Sequence, residues 1–202
     1  MAIRALAFDA DGVLVRAGVF SELLEREHGV APAAISAFFE GPFVDCVLGR
    51  RDLEEAIAPF LTEWGWQATV QDCLQTWFEA DSVTDDRVLE AVAEVRAAGL
   101  ACYLVSNQER HRAAYLEEVL GFGARFDGLF YSSRIGARKP QAAFFEHVVS
   151  HVGVAPNEIL LIDDHPANVE GARSLGWHAA LFSWGDDVRQ LLHDHGVHLS
   201  DA

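Results

Sequence analysis

The sequence predicts an α/β protein: a doubly wound, Rossmann-like parallel sheet with an α-helical cap inserted into it. Three observations carry this. Five short apolar runs, rich in β-branched and aromatic residues, read as buried strands: IRALAFDA, LACYLVSN, GLFYSS, EILLIDD and HAALFS. Helical patterns of crossover length separate the last four, and such alternation implies a parallel sheet covered on both faces. Between the first run and its crossover helix, residues 16–82 hold no convincing strand.

Taken in order, the first run ends in Asp9 and Asp11 and turns at Gly12. Four helical segments follow, FSELLEREHG, PAAISAFFEG, DLEEAIAPFLTEWG and VQDCLQTWFEA. Asp52 with Glu55 three residues on resembles a capping box at the start of the third. A stretch this long must be folded, so 16–82 is read as a helical cap, with 1–15 and 83–202 as the α/β core. The hinges are expected near Val15–Gly18 and Ser82–Asp85. Val88, Leu89, Val92 and Val95 then recur at helical spacing, with Gly99 as the stop. After the second strand QERHRAAYLEEVLG is amphipathic and ends at Gly121; after Pro140 a helix buries Phe144, Phe145, Val148, Val149 and Val152.

Charge narrows the function. Lys+Arg 15 against Asp+Glu 31 gives −16, which repels nucleic acid and anionic membrane surfaces at long range. Cys46, Cys73 and Cys102 lie far apart with no CxxC pair, which disfavours a zinc site or a disulfide framework. No signal-peptide pattern opens the chain, and no apolar window approaches the ~20 residues of a membrane helix. A soluble, cytoplasmic protein is expected, with no nucleic-acid or membrane partner; the sequence leaves its oligomeric state open.

Ligands of an open parallel sheet bind at the carboxyl ends of its strands. There the sequence places Asp9 and Asp11, Ser106 and Asn107, and Asp163 and Asp164, with Lys139 opening the helix that leads to the fourth strand. Each group alone has a plain reading: a turn at Asp11-Gly12, an N-cap at Ser106 or Asn107, an extended residue before proline at Lys139, a capped helix start at Asp163-Asp164. Their shared edge is what those readings leave unexplained. Four carboxylates there raise one another's pKa unless a cation neutralises them, and hard oxygen ligands suit Mg²⁺. A phosphate monoester carries about −2, which Mg²⁺ and Lys139 together would offset.

DADGVL (9–14), SN (106–107), RKP (138–140) and LIDD (161–164), in this order, resemble the four motifs of the haloacid dehalogenase superfamily with a helical cap inserted after the first. The resemblance implies Asp9 as nucleophile forming an aspartyl-phosphate, and Asp11 as the acid that protonates the leaving oxygen and then the base that activates water. It implies that Ser106 and the Asn107 N–H hold phosphate oxygens and that Lys139 bridges nucleophile and phosphoryl group. Mg²⁺ would sit on Asp9, the Asp11 carbonyl and Asp164, supported by Asp163. Dehalogenating members carry tyrosine where Asp11 stands, so the resemblance points to phosphate chemistry. The expected activity is a Mg²⁺-dependent phosphatase for a small phosphorylated metabolite, with a sugar phosphate as one form. The alternatives are a phosphomutase of the same family and a non-enzymatic phospho-aspartate switch.

Weaker signals remain. Arg50 and Arg51 are read as a solvated helix start with a second anion site as the rival; Phe38, Phe39, Phe43, Trp64, Trp66 and Trp77 as cap core or an aromatic wall over the site. His147 with His151, and His193, His195 and His198, read as solvated surface with metal binding as the rival. His165, beside Asp164, is a candidate contact to substrate or a metal-bound water.

Overall fold

The computed structural model describes residues 2–199. Its elements are β1 (Ala5–Phe8), α1 (Val19–His28), α2 (Pro32–Phe39), α3 (Phe43–Val47), α4 (Leu53–Glu63), α5 (Val70–Ala80), α6 (Asp86–Ala97), β2 (Ala101–Ser106), α7 (Arg110–Ala114), α8 (Phe122–Arg125), β3 (Gly128–Tyr131), α9 (Ser132–Ile135), α10 (Ala142–Val152), β4 (Ile159–Asp163), α11 (Pro166–Ser174), β5 (His178–Leu181) and α12 (Val188–Asp194). The strands form one parallel sheet in the order β3-β2-β1-β4-β5, the doubly wound arrangement expected.

Alternation along the strands builds two cores. Leu6 and Phe8 of β1, Leu104 of β2, and Leu160 and Ile162 of β4 face one layer with Val88, Val92 and Val95 of α6 and Leu192 of α12. Ala5, Ala7, Val105 and Leu161 face the other with Phe144, Phe145 and Val148 of α10 and Val169 of α11. A strand buried on both faces has no polar positions to spare, which is why these runs are apolar throughout and acids appear only where they end.

Helices α1–α5 pack around a third cluster built on Phe20, Phe38, Ile57, Trp64 and Trp77. The two chain segments leading into and out of this helical unit run side by side. Arg16 N–H donates to Val83 O at 2.8 Å, Asp85 N–H to Leu14 O at 2.9 Å, and Val15 bridges Thr84.

Four local expectations need correction. Helix α3 was not among the expected segments; at five residues it is too short to show a periodicity. The box expected between Asp52 and Glu55 is not formed: Asp52 caps the Glu54 N–H at 2.9 Å and turns the rest of its carboxylate toward His111 and Arg110. The reciprocal box forms one helix later, between Thr69 and Asp72. The amphipathic stretch after β2 starts at Glu109, whose carboxylate accepts the His111 and Arg112 N–H groups, and passes into a π-helical turn over Tyr115–Val119. Ser106 and Asn107 are therefore not its N-cap.

Candidate active site

Register brings the acids together. Phe8 pairs with Leu104 on one side and Ile162 on the other, so one step further Asp9 falls beside Asp163, at the sheet's switch point. Asp9 N–H continues the ladder by donating to Ile162 O at 2.9 Å. Its carboxylate accepts from Ala10 N–H at 2.7 Å and meets the Lys139 ammonium at 2.9 Å.

Lys139 is the only lysine in the sequence, and 1% of its surface is exposed. Its Nζ also donates to Asp163 Oδ2 at 2.6 Å. The other Asp163 oxygen accepts from His165 N–H and Asn168 Nδ2, both at 2.9 Å. Three hydrogen bonds thus fix the Asp163 carboxylate, which in turn holds Lys139 in place. The Asn107 side chain grips the backbone of Lys139 twice, donating to its carbonyl at 3.0 Å and accepting its N–H at 2.9 Å. This contact was not foreseen.

Electrostatics separate the members of this cluster. Burial pushes the Asp9 carboxyl up to about 8, with Lys139 pulling the other way and Asp163 adding to the rise. Burial would raise Asp163 as well, but the Lys139 charge and three hydrogen bonds hold it below the usual carboxylate range. Burial works against the Lys139 ammonium, and the two carboxylates outweigh it. Lys139 and Asp163 form the settled ion pair, and Asp9 is the carboxyl left short of positive charge.

Asp164 stands beside them, its carboxyl raised by burial and then by the Asp163 charge. Carboxylate oxygens of Asp9, Asp163 and Asp164 lie within 4.8 Å of one another. Gly12 makes room for Asp164: a Cβ there would lie 2.1 Å from its Oδ2, and the glycine φ of +76° is left-handed besides. Three hard acids offset by one lysine form a donor set that fits Mg²⁺.

Asp11 is placed differently. Its side chain is 40% exposed and accepts from Gln108 Nε2 at 2.6 Å; the same nitrogen reaches Ser106 Oγ at 3.2 Å. The Arg112 guanidinium lies 3.8 Å away. It is buried, donates to the carbonyls of Phe78 and Asp81 in the helical unit, and sits over the rings of Phe78 and Tyr115 at 5.6 and 5.4 Å. Gln108 and Arg112 were missed in the sequence. The available signal was position: Gln108 directly follows the SN pair, and Arg112 lies one helical turn on.

Between the sheet edge and the helical unit lies a cavity of about 220 Å³ that Asp11, Asn107, Gln108 and Arg112 line from one side and Phe39, Phe43 and Trp77 from the other. The six aromatic candidates thus divide, with Phe38 and Trp64 in the helical core, Trp66 packed against it, and these three facing the cavity. Arg50 pairs with Asp45 at 3.5 Å and Arg51 donates to Glu55 O at 3.2 Å, so both serve the helix start. His165 caps α11, its Nδ1 accepting from Ala167 N–H. His147 and His151 stack on each other at 4.1 Å, and His193 meets His198 at 4.8 Å. Among the described residues, Asp9, Asp163 and Asp164 are the only group of three or more metal-ligating side chains.

Known proteins share this architecture. A HAD family enzyme from Bacteroides thetaiotaomicron superposes with a TM-score of 0.82 at 19% identity, over 95% of this chain and 99% of that one; another structure of that enzyme is a complex with magnesium and inorganic phosphate. A phosphoglycolate phosphatase from Chromobacterium violaceum is 26% identical over 195 residues, 91% of this chain and 86% of that protein. The sesquiterpene phosphatase astK of Aspergillus oryzae is 32% identical over 92 residues, 46% of this chain and 47% of that protein. Against several curated relatives the match spans half their length or less, from 13 to 47%. No helix among the described residues is long and apolar enough to cross a membrane. The sequence model of the haloacid dehalogenase-like hydrolases matches residues 3–176, through all four motifs that meet at this sheet edge, and the chain belongs to that family.

Proposed function

We propose that the protein is a Mg²⁺-dependent phosphomonoester hydrolase acting on a small phosphorylated metabolite, with 1–15 and 83–202 as catalytic core and 16–82 as cap. The observation that carries the reading is the contrast between Asp9 and Asp11. One carboxylate is buried against Lys139, short of positive charge; the other is open to the cavity and held by an amide. Environment thus separates a nucleophile from an acid/base of the same residue type. The phosphatases among the relatives support the reading, as does the magnesium and phosphate complex of the Bacteroides enzyme.

An Asp9 oxygen forms a bond to phosphorus while the bond from phosphorus to the leaving oxygen breaks, and Asp11 delivers its proton to that oxygen. Asp11 then takes a proton from the water that attacks the aspartyl-phosphate, releasing phosphate and restoring Asp9. Ser106 Oγ and the Asn107 N–H hold phosphate oxygens, and Lys139 stabilises the charge that develops on them. Asp9, Asp164 and the Asp11 carbonyl would hold Mg²⁺, which supplies the positive charge Asp9 lacks; Asp163 acts through Lys139. The buried free thiols of Cys46, Cys73 and Cys102 fit a reducing cytoplasm.

The test is Mg²⁺-dependent release of phosphate from 4-nitrophenyl phosphate. Isomer formation without free phosphate, or a long-lived phosphoprotein without turnover, would replace the reading by a mutase or a phospho-switch.

A further inference from the structure

The leaving group must lie where Asp11 can protonate it, and the Asp11 carboxylate opens into the cavity beneath Phe39, Phe43 and Trp77. We infer that this cavity selects phosphate monoesters of small apolar alcohols, such as a single aromatic ring or a short branched hydrocarbon, over esters of sugars or hydroxy acids. The inference rests on the phosphomonoesterase reading and deepens it.

The roof is a rigid aromatic surface. Phe39 meets Phe43 edge-on at 5.2 Å and 81°, and Trp77 at 5.4 Å and 86°, an arrangement that offers ring faces and edges to an apolar guest. Its polar atoms are already engaged. Trp77 Nε1 donates to Asp81 at 3.0 Å, and the other oxygen of Asp81 accepts the Phe20 N–H. The Gln108 amide nitrogen is committed to Asp11 and Ser106. A sugar's several hydroxyls entering here would give up water for the few acceptors left open, a loss a site built for them avoids.

Charge argues the same way. The acids lining the cavity are Asp11 and Asp81, and the one cation is Arg112, whose guanidinium spans to the carbonyls of Phe78 and Asp81. The cap's arginines are directed elsewhere: Arg26 to Glu27, Arg50 to Asp45, Arg51 to Glu55 O, and Arg16 to Glu22 beside a separate cavity next to Gly12 and Asp164. A carboxylate on the substrate would meet two acids, and the one lining cation already shares its charge with Asp11 and two carbonyls. Size sets the upper bound, because about 220 Å³ is below the ~300–1,000 Å³ of sites for drug-sized ligands.

The experiment compares kcat/KM of the Mg²⁺-loaded full chain for four esters that all release a primary alcohol: benzyl phosphate, 3-methylbut-2-enyl phosphate, glucose 6-phosphate and phosphoglycolate. The two apolar esters are expected to exceed the two polar ones by about tenfold or more, the scale set by apolar pocket contacts. Phe43→Arg, checked for folding by circular dichroism, should lower turnover of benzyl phosphate and raise that of phosphoglycolate; Phe39→Ala should lower the apolar esters alone. Equal or better turnover of glucose 6-phosphate or phosphoglycolate by the unaltered protein would overturn the inference while leaving the phosphatase reading intact. No phosphate from any ester, 4-nitrophenyl phosphate included, would overturn both.

Discussion

Across the cavity two surfaces face each other that are held by different physics. On the floor, Lys139 meets Asp9 and Asp163 at 2.9 and 2.6 Å, each in a direction fixed by strand register and by the Asn107 grip on its backbone. On the roof, Phe39, Phe43 and Trp77 belong to a packed aromatic cluster in which the Trp64 and Trp66 indole N–H groups have no hydrogen-bond partner. The floor is a set of directional charge contacts in which one missing group strands its neighbours. The roof is filled volume, where shape can change by increments. Chemistry and selectivity can therefore vary separately in one chain.

Breaking the floor should give the largest effect. Asp9→Asn replaces the carboxylate proposed to attack phosphorus and should lower phosphate release by about 10⁴-fold or more, the scale seen when a nucleophile is lost, measured as initial rates with 4-nitrophenyl phosphate. Undiminished turnover would rule out the covalent route. Lys139→Met leaves Asp9 and Asp163 buried without their cation, and should cost about 3–5 kcal/mol of stability, as for other broken buried pairs, read from urea unfolding together with loss of activity.

At the border of the two surfaces, Gln108→Leu removes the amide that orients Asp11. A typical hydrogen bond is worth about 0.5–1.5 kcal/mol, so kcat should fall by up to about tenfold with little change in KM. A matching fall in a fully folded variant would sharpen the assignment; unchanged kcat would remove it.

The smallest effect tests what fastens roof to floor. Asp52, the N-cap of α4, meets His111 Nε2 of the core at 3.1 Å and Arg110 at 3.5 Å. Burial alone would raise its carboxyl, but the Glu54 N–H, His111 and Arg110 together hold it below the ordinary value. A depressed acid contributes stability above its unfolded pKa and loses it as pH falls through the folded one. Asp52→Asn keeps a good N-cap and removes the charge, so its loss at pH 7 should be below about 1 kcal/mol for so exposed a pair. The difference from the unaltered protein in thermal melts should begin to shrink as pH falls past about 4, near the unfolded value of an aspartate, and vanish only below the depressed folded value. A difference that persists at low pH would mean the cap, not the charge, had been lost.

The floor could be read in the sequence because a buried parallel strand leaves only its end free for polar residues, so the place of Asp9, Ser106 and Asp163 followed from where apolar runs stop. The resemblance set Lys139 beside Asp9, but its other partners could not be read, since Asn107 and Asp163 reach it through the fold, 32 and 24 residues away. Arg112 looked like one charge among several on an amphipathic helix; only tertiary packing turns it inward beneath Phe78. The roof was least legible. Six aromatic residues at helical spacings have the same pattern whether they face a core or a cavity, and the short α3 that carries Phe43 has no period to detect.

That Lys139 stands alone in its kind has a consequence for handling the molecule. Every other basic side chain apart from histidine is a guanidinium, so the surface presents no primary side-chain amine to acylating or crosslinking reagents. A succinimidyl ester that modified an amine side chain would have had to reach the buried floor around Lys139, and the yield of that modification would report how far the cleft opens in solution.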